Sequence, residues 1–238
     1  NNTMVGYIPE EGPVSAMKHG TLGIGQIGLA ETLQILIGCD HTEAKGLDLA
    51  KRIEKLFSDR CTEFKKNDKL NFGVYYTPAE GLSYTSMKRF KEQYGTIPNI
   101  SDHEFFTNSM HVPVYDEVDC FTKVNIESQL TGYSSAGCIT YVELPSTAVN
   151  NIDACEELIV YMMEKDIPYA ALNFKINTCK DCGYHGIDVY DTCPHCGSTN
   201  IEHLARVTGY LSTDISNMNY GKQCEVYGRT EHVDKKII

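Results

Sequence analysis

At 238 residues, 42% hydrophobic and 22% charged, the chain can bury one large core or two modest ones. Its formal net charge of −11 is spread over both halves, which argues against nucleic acid as the main partner, because phosphate neutralisation needs clustered Lys and Arg. No apolar run approaches the ~20 residues that span a bilayer, and the opening NNTMVGYIPEEGP lacks the basic and apolar regions of a signal peptide, so no membrane partner and a cytoplasmic location are expected.

In chain order, GTLGIGQIGLAETLQILI (20–37) turns helical after Gly28, with Leu29, Leu33, Leu36 and Ile37 at three- and four-residue spacings, and Gly38 ends it. Within it, Gly23, Gly25 and Gly28 fit G-x-G-x-x-G. VSAMKHGT stands where that fingerprint needs a hydrophobic strand, so the match counts as coincidence. A second amphipathic helix is predicted from Gly46 to Asn67, where Leu47, Leu49, Ile53 and Leu56 interleave with charges. NFGVYY (Asn71–Tyr76) reads as a strand, Thr77 and Pro78 as a breaker and cap, and SYTSMKRFKEQYG as a helix closed by Gly95.

Strands are predicted at His111–Tyr115 and Cys138–Leu144, bracketing an irregular middle. IDACEELIVYMMEKD after Asn151 reads as a helix, and YAALNFKI (169–176) as an apolar strand. Strands alternating with helices imply an α/β sheet or barrel. After Ile176 the composition shifts to Cys, Gly, Asp and His, which places a domain boundary near residue 177 and divides the chain into 1–176 and 177–238.

Ten cysteines raise the possibility of a disulfide scaffold, but that class is usually short and loop-rich, and four of the ten form two Cys-x-x-Cys pairs. Cys179 and Cys182 make one pair, Cys193 and Cys196 the other, with ten residues between them. Two thiolates on one tight turn can share an ion, and Gly183 and Gly197 let backbone amides face the sulfurs. Four thiolates favour structural zinc over iron; two disulfides are the alternative. His185, His195 and His203 lie nearby and read as solvated loop residues, since the four cysteines already fill the shell. A closed shell does no chemistry itself. On its own, a ribbon of this kind reads as a non-catalytic module that binds a partner.

Shortly after Cys196 comes R-V-T-G-Y-L around Gly209, a short strand interrupted by a glycine, which by itself marks a bulge or a close backbone approach. The string resembles the R-V-x-G-Y signature of glycyl-radical enzymes, with Thr208 where members commonly carry Cys, Ser or Ala. Only glycine suits that role, because a planar α-carbon radical delocalises into the flanking amides and a β-carbon would crowd it. A four-cysteine ribbon directly before the glycine resembles the anaerobic (class III) ribonucleotide reductases. Formate-lyase-type glycyl-radical enzymes share the glycine motif without the ribbon. IGLAETL (Ile27–Leu33), YTPAEGLSY (Tyr76–Tyr84), TNSMHVPV (Thr107–Val114) and GKQCEV (Gly221–Val226) agree with the same family.

The resemblance implies the second half of a ten-stranded α/β barrel followed by a small zinc-ribbon and glycyl-radical domain. It implies reduction of ribonucleoside triphosphates to deoxyribonucleotides for DNA replication, ATP binding by the whole enzyme, and a radical installed on Gly209 by a radical-SAM activating enzyme. It also implies a homodimer. The family's thiyl cysteine sits upstream of the IGLAETL region, and no cysteine precedes Cys39 here. Cys39, Cys61, Cys120, Cys138 and Cys155 match no such context and read as packing residues. With Asn as the opening residue, this leads to the expectation of a fragment whose upstream half, including the regulatory region, is supplied elsewhere.

Two substrate elements are expected. Unpaired amides at the start of the helix after NFGVYY attract phosphate, so Thr77, Pro78, Ala79, Glu80 and Gly81 are candidates to cradle it, provided Glu80 turns away. An ordinary capped helix start, with Glu80 complementing the dipole, is the competing reading. Asn108, Ser109 and His111 match a family string along the barrel interior. Lys222 reads as a solvated charge.

Overall fold

The structure is a computed structural model, and it describes residues 20–186, 189, 191–207, 211–212 and 214–233. Strand β1 (Thr21–Gly25) is followed by helices α1 (Leu29–Ile37) and α2 (Ala44–Asp68) and by β2 (Asn71–Tyr75), which pairs parallel to β1 from Thr21↔Asn71 to Gly25↔Tyr75. The predicted helices are found at nearly the predicted positions. Gly38 closes α1 at φ 70°, a left-handed conformation in which a β-carbon would be strained. The strand at β1 was not predicted, and it holds Gly23 and Gly25 within it, so no glycine-rich loop connects it to α1.

Helix α3 (Leu82–Tyr94) follows and stops at Gly95, as expected. The predicted strand at His111–Tyr115 does not form. Pro113 has no N–H to give a ladder, its carbonyl accepts from Asp116 in a turn, and the Val114 carbonyl accepts from Thr230 of the C-terminal tail instead. The irregular middle also proves to hold a helix, α4 (Cys120–Thr131), with the Asp119 carboxylate accepting from the Thr122 N–H at 2.9 Å.

Strand β3 (Thr140–Glu143), helix α5 (Ile152–Glu164) and strand β4 (Ala170–Asn173) form a second parallel unit, with Thr140↔Ala170 through Glu143↔Asn173. The predicted strand at 169–176 is split, because the ladder with β3 ends at Asn173 and β5 (Ile176–Cys179) joins a different sheet. That sheet is antiparallel in the order β6-β5-β7-β8, with β6 at His185–Gly186, β7 at Ile201–Arg206 and β8 at Leu211–Ser212. Helix α6 (Tyr220–Tyr227) then docks on α3, where a β-carbon on Gly221 would come within 2.6 Å of the Tyr84 side chain.

Two apolar clusters hold the α/β part. Leu29, Leu33, Ala50, Val74, Met110 and Leu130 form one, and Val124, Val142, Leu144, Leu158 and Met162 form the other. Each such buried aliphatic side chain contributes about 1.5–3 kcal/mol. Helix α4 contributes Leu130 to the first and Val124 to the second, so it joins the two units. Among the described residues, no helix is long and apolar enough to cross a membrane.

Candidate functional site

Two turns of like geometry build a four-cysteine cluster that could hold a metal ion. Gly183 and Gly197 stand at φ 75° and 74°, which lets their N–H groups return to the carbonyls of Cys179 and Cys193, each at 2.9 Å. The four sulfurs of Cys179, Cys182, Cys193 and Cys196 lie within 4.8 Å of one another, with Cys179 to Cys196 at 3.5 Å and Cys182 to Cys193 at 3.7 Å. A tetrahedron with zinc–sulfur bonds of about 2.3 Å has sulfur–sulfur edges of about 3.8 Å. The separations fit that ion and are far too long for disulfide bonds.

Charge points the same way. The Cys182 amide helps bring the Cys179 thiol down to about 7. The Ser198 amide likewise favours the Cys196 thiolate, but the neighbouring sulfurs push Cys196 up to about 12. A divalent cation relieves that crowding. Asp181 ties the turns together by accepting from Ser198 Oγ and Asn200 Nδ2. The three nearby histidines stay out of the cluster, and two of them are in strands instead of loops. His185 lies in β6, His203 in β7 with its Nδ1 2.9 Å from Asn177 Oδ1, and His195 stacks on Tyr184.

The second element is a small cavity between the α/β part and the C-terminal tail. Pro78, Asn108 and His111 of the expected residues line it, and Glu225, Arg229 and His232 from α6 and the tail close it. Ser109 turns away at φ 46° and donates to the Thr77 carbonyl at 2.6 Å, which joins the two expected substrate segments. Thr77 Oγ1 accepts from the Ala79 N–H at 3.4 Å, and Glu80 and Gly81 are exposed at the start of α3.

Buried charges surround the cavity. Glu127 of α4 takes Lys123 Nζ, lies 3.3 Å from His111 Nδ1 and accepts from the Val112 N–H at 3.1 Å. Burial alone would raise its carboxyl, but Lys123 and His111 outweigh it and hold the group well below the ordinary range. Lys222, expected to be solvated, is buried and paired with Glu225, whose Oε2 also receives Asn108 Nδ2 at 3.1 Å. Its ammonium pairs within its own helix, a local match that leaves no exposed charge. Among the described residues, Asn108 Oδ1, Arg229 Nε and His232 Nε2 are buried without a protein partner. His232 Nδ1 accepts from the Glu143 N–H at 2.9 Å, so the neutral ring carries its proton on Nε2. The cavity wall therefore offers one acceptor and two donors.

Gly209, with Thr208 and Tyr210, lies outside the described residues. The strands on either side are described: β7 pairs with β8 at Ala205↔Ser212 and Arg206↔Leu211. β7 also pairs with β5 from Ile176↔Leu204 to Cys179↔Ile201, so its start lies beside a cysteine of the four-sulfur cluster. At its end the Arg206 guanidinium covers, at 3.4 Å, the ring of Tyr141, which lines the cavity. The charged cavity residues Lys123, Glu225 and Arg229, and Glu127 behind Lys123, were missed in the sequence. The string GKQCEV, which contains Lys222 and Glu225, was the one available signal.

The family profile described as NRDD, anaerobic ribonucleoside-triphosphate reductase, matches residues 4–232. The anaerobic ribonucleoside-triphosphate reductase of Escherichia coli (strain K12) is 30% identical over 227 residues, covering 90% of this chain and 31% of the relative. That of Enterobacteria phage T4 is 28% identical over 234 residues, covering 94% and 37%. A solved structure titled anaerobic ribonucleotide reductase superposes with a TM-score of 0.76 at 18% identity, over 92% of this chain and 35% of that one. One from Thermotoga maritima, with dATP bound in the specificity site, gives 0.67 at 18% identity, over 84% and 33%. At these identities the structures establish the α/β fold. The chain spans about a third of the length of the curated relatives it matches.

Proposed function

Because the chain belongs to the anaerobic ribonucleoside-triphosphate reductase family, we propose that it is the C-terminal, glycyl-radical part of a reductase that makes deoxyribonucleotides from ribonucleoside triphosphates. The observation that carries this reading is the course of β7, which starts beside Cys179 and ends, three residues before Gly209, with Arg206 over Tyr141 of the cavity wall. In this reading residues 1–176 are the second half of the ten-stranded barrel and 177–238 the ribbon and radical domain. The thiyl cysteine and the rest of the barrel come from the upstream part.

The Cys179, Cys182, Cys193 and Cys196 set suits zinc, which when bound supplies a rigid cross-link and no chemistry. Gly209 stores the radical that a radical-SAM activating enzyme installs. The protein's task is to position it and to exclude water and oxygen. Asn108 Oδ1 and the N–H groups of Arg229 Nε and His232 Nε2 suit the hydroxyls of a ribose. Thr77, Pro78, Ala79, Glu80 and Gly81, at the start of α3 and tied to Ser109, are the proposed phosphate side, with Glu80 exposed. The cavity wall at His111 is kept polar by its contact with Glu127. The reductase is expected to work as a cytoplasmic homodimer.

The test is anaerobic incubation of the complete reductase with its activating enzyme, reductant and S-adenosylmethionine, followed by EPR. The expected result is a glycine-centred doublet, then backbone cleavage at Gly209 on exposure to oxygen. Absence of the doublet with a competent activating enzyme and intact zinc site refutes the radical role. Activation without ribonucleotide reduction would favour formate-lyase-type chemistry. Unchanged nucleotide affinity in Thr77→Val would remove the phosphate role from Thr77.

A further inference from the structure

The end of β7 is gripped by a side chain that the chemistry above uses only in passing. Arg229, two residues beyond α6, donates from Nη1 to the Arg206 carbonyl at 2.7 Å and from Nη2 to the Val207 carbonyl. Successive carbonyls of an extended strand point to opposite sides, so one guanidinium receives both only where the chain has left strand geometry. A planar fork suits that task better than a point charge.

The guanidinium is itself fixed from two other elements. Its Nη2 donates to Glu225 Oε1 at 3.1 Å, and its Nη1 stands 3.5 Å from Glu143 Oε1 of β3. Glu225 is in turn held by Lys222 and by Asn108, and the Lys222 and Glu225 side chains are 1% and 2% exposed. Strand-end carbonyls need no cation, since water or an amide satisfies them. Burying several charges is costly unless each is paired, and here every charge is paired in a chain that ends on Arg206 and Val207.

We propose that Arg229 is a positioning residue: it fixes the point at which the backbone leaves β7 and so fixes where Gly209 is presented. Its chemical consequence rests on the reading of Gly209 as the radical site, while its geometry does not. Loss of Arg229 frees two adjacent carbonyls and releases the end of β7. A radical carried on Gly209 then loses its alignment with its partner thiol.

The experiment compares the complete reductase with Arg229→Ala and Arg229→Lys, each checked for zinc content and cooperative unfolding. Amide hydrogen exchange is read on the peptide spanning 204–212, and after activation the EPR spin per chain and the turnover per spin are measured. Arg229→Ala is expected to exchange about tenfold to a hundredfold faster there, with zinc retained and turnover per spin reduced. Arg229→Lys is expected to recover part of the protection, because an ammonium reaches one carbonyl at a time. Wild-type exchange with unchanged turnover per spin in Arg229→Ala overturns the proposal. If Arg229→Ala does not fold, full protection and full turnover in Arg229→Lys overturn it. Faster exchange in Arg229→Ala, in a reductase whose wild type forms no doublet, supports the grip and refutes the radical reading.

Discussion

Acid should loosen the C-terminal tail through a single imidazole. His232 is 2% exposed, its N–H donates to the Glu143 carbonyl at 2.7 Å, and its Nδ1 accepts from the Glu143 N–H. Burial, reinforced by Lys123, brings its pKa from 6.5 down to about 3, while Glu127 and Asp119 partly oppose that shift. Between those values the unfolded chain binds a proton that the folded chain refuses, so stability falls as pH drops through 6.5. Each pH unit below 6.5 costs about 1.4 kcal/mol, or about 2 kcal/mol at pH 5. Urea unfolding at pH 7.5 and pH 5 of the wild type and His232→Gln isolates the effect, because all other titrating groups are common to both. The wild type should lose about 2 kcal/mol more than the variant over that interval. Equal losses would show that His232 is not kept neutral, and the docked tail would need another explanation.

Three further outcomes are expected. The chain should bind zinc stoichiometrically by elemental analysis, and Cys196→Ser should lower that content and the thermal midpoint, whereas unchanged zinc would break the four-thiolate assignment. Gly221→Ala should cost about 1–3 kcal/mol in thermal unfolding, since its new carbon meets Tyr84 at 2.6 Å, and an unchanged midpoint would mean that α6 does not pack on α3 as described. Tyr76→Phe should cost about 1–3 kcal/mol, because the hydroxyl lies 2.9 Å from buried Glu54 and 3.0 Å from the Leu130 carbonyl, leaving the carboxylate only Gln26; a neutral result in urea unfolding would refute that dependence.

The four-cysteine cluster was legible because its information is local: two Cys-x-x-Cys turns with glycines behind them need no tertiary contact to be read. Helices α1, α2, α3 and α5 were legible for the same reason, each having one apolar face and all but α2 a cap or breaker. Helix α4 was not, since Lys123 and Glu127 neutralise one another inside the core and erase the polar face that periodicity detects. Lys222 and Glu225 hid in the same way, three residues apart and both buried. The segment at His111–Tyr115 reads as a strand by residue type, but its backbone groups pair with Asn108, Glu127, Asp116 and Thr230, which form no single neighbouring strand. A short window sees charges as solvated and apolar runs as ladders. Both rules fail where the tail returns.

The two supports of β7 differ in kind. At its start, Ile201 pairs with Cys179, so the ladder position is fixed by a residue whose sulfur belongs to the four-cysteine cluster. At its end, Arg206 and Val207 are held by a guanidinium carried on the tail. A strand fixed at one end can still slide, and a shift of one residue turns every side chain to the opposite face. Such a slip would take Arg206 off the Tyr141 ring and move the carbonyls away from Arg229. Holding both ends removes that freedom. The ribbon and the tail therefore act on one quantity, the register of β7, and damage to either should be felt in the residues just before Gly209.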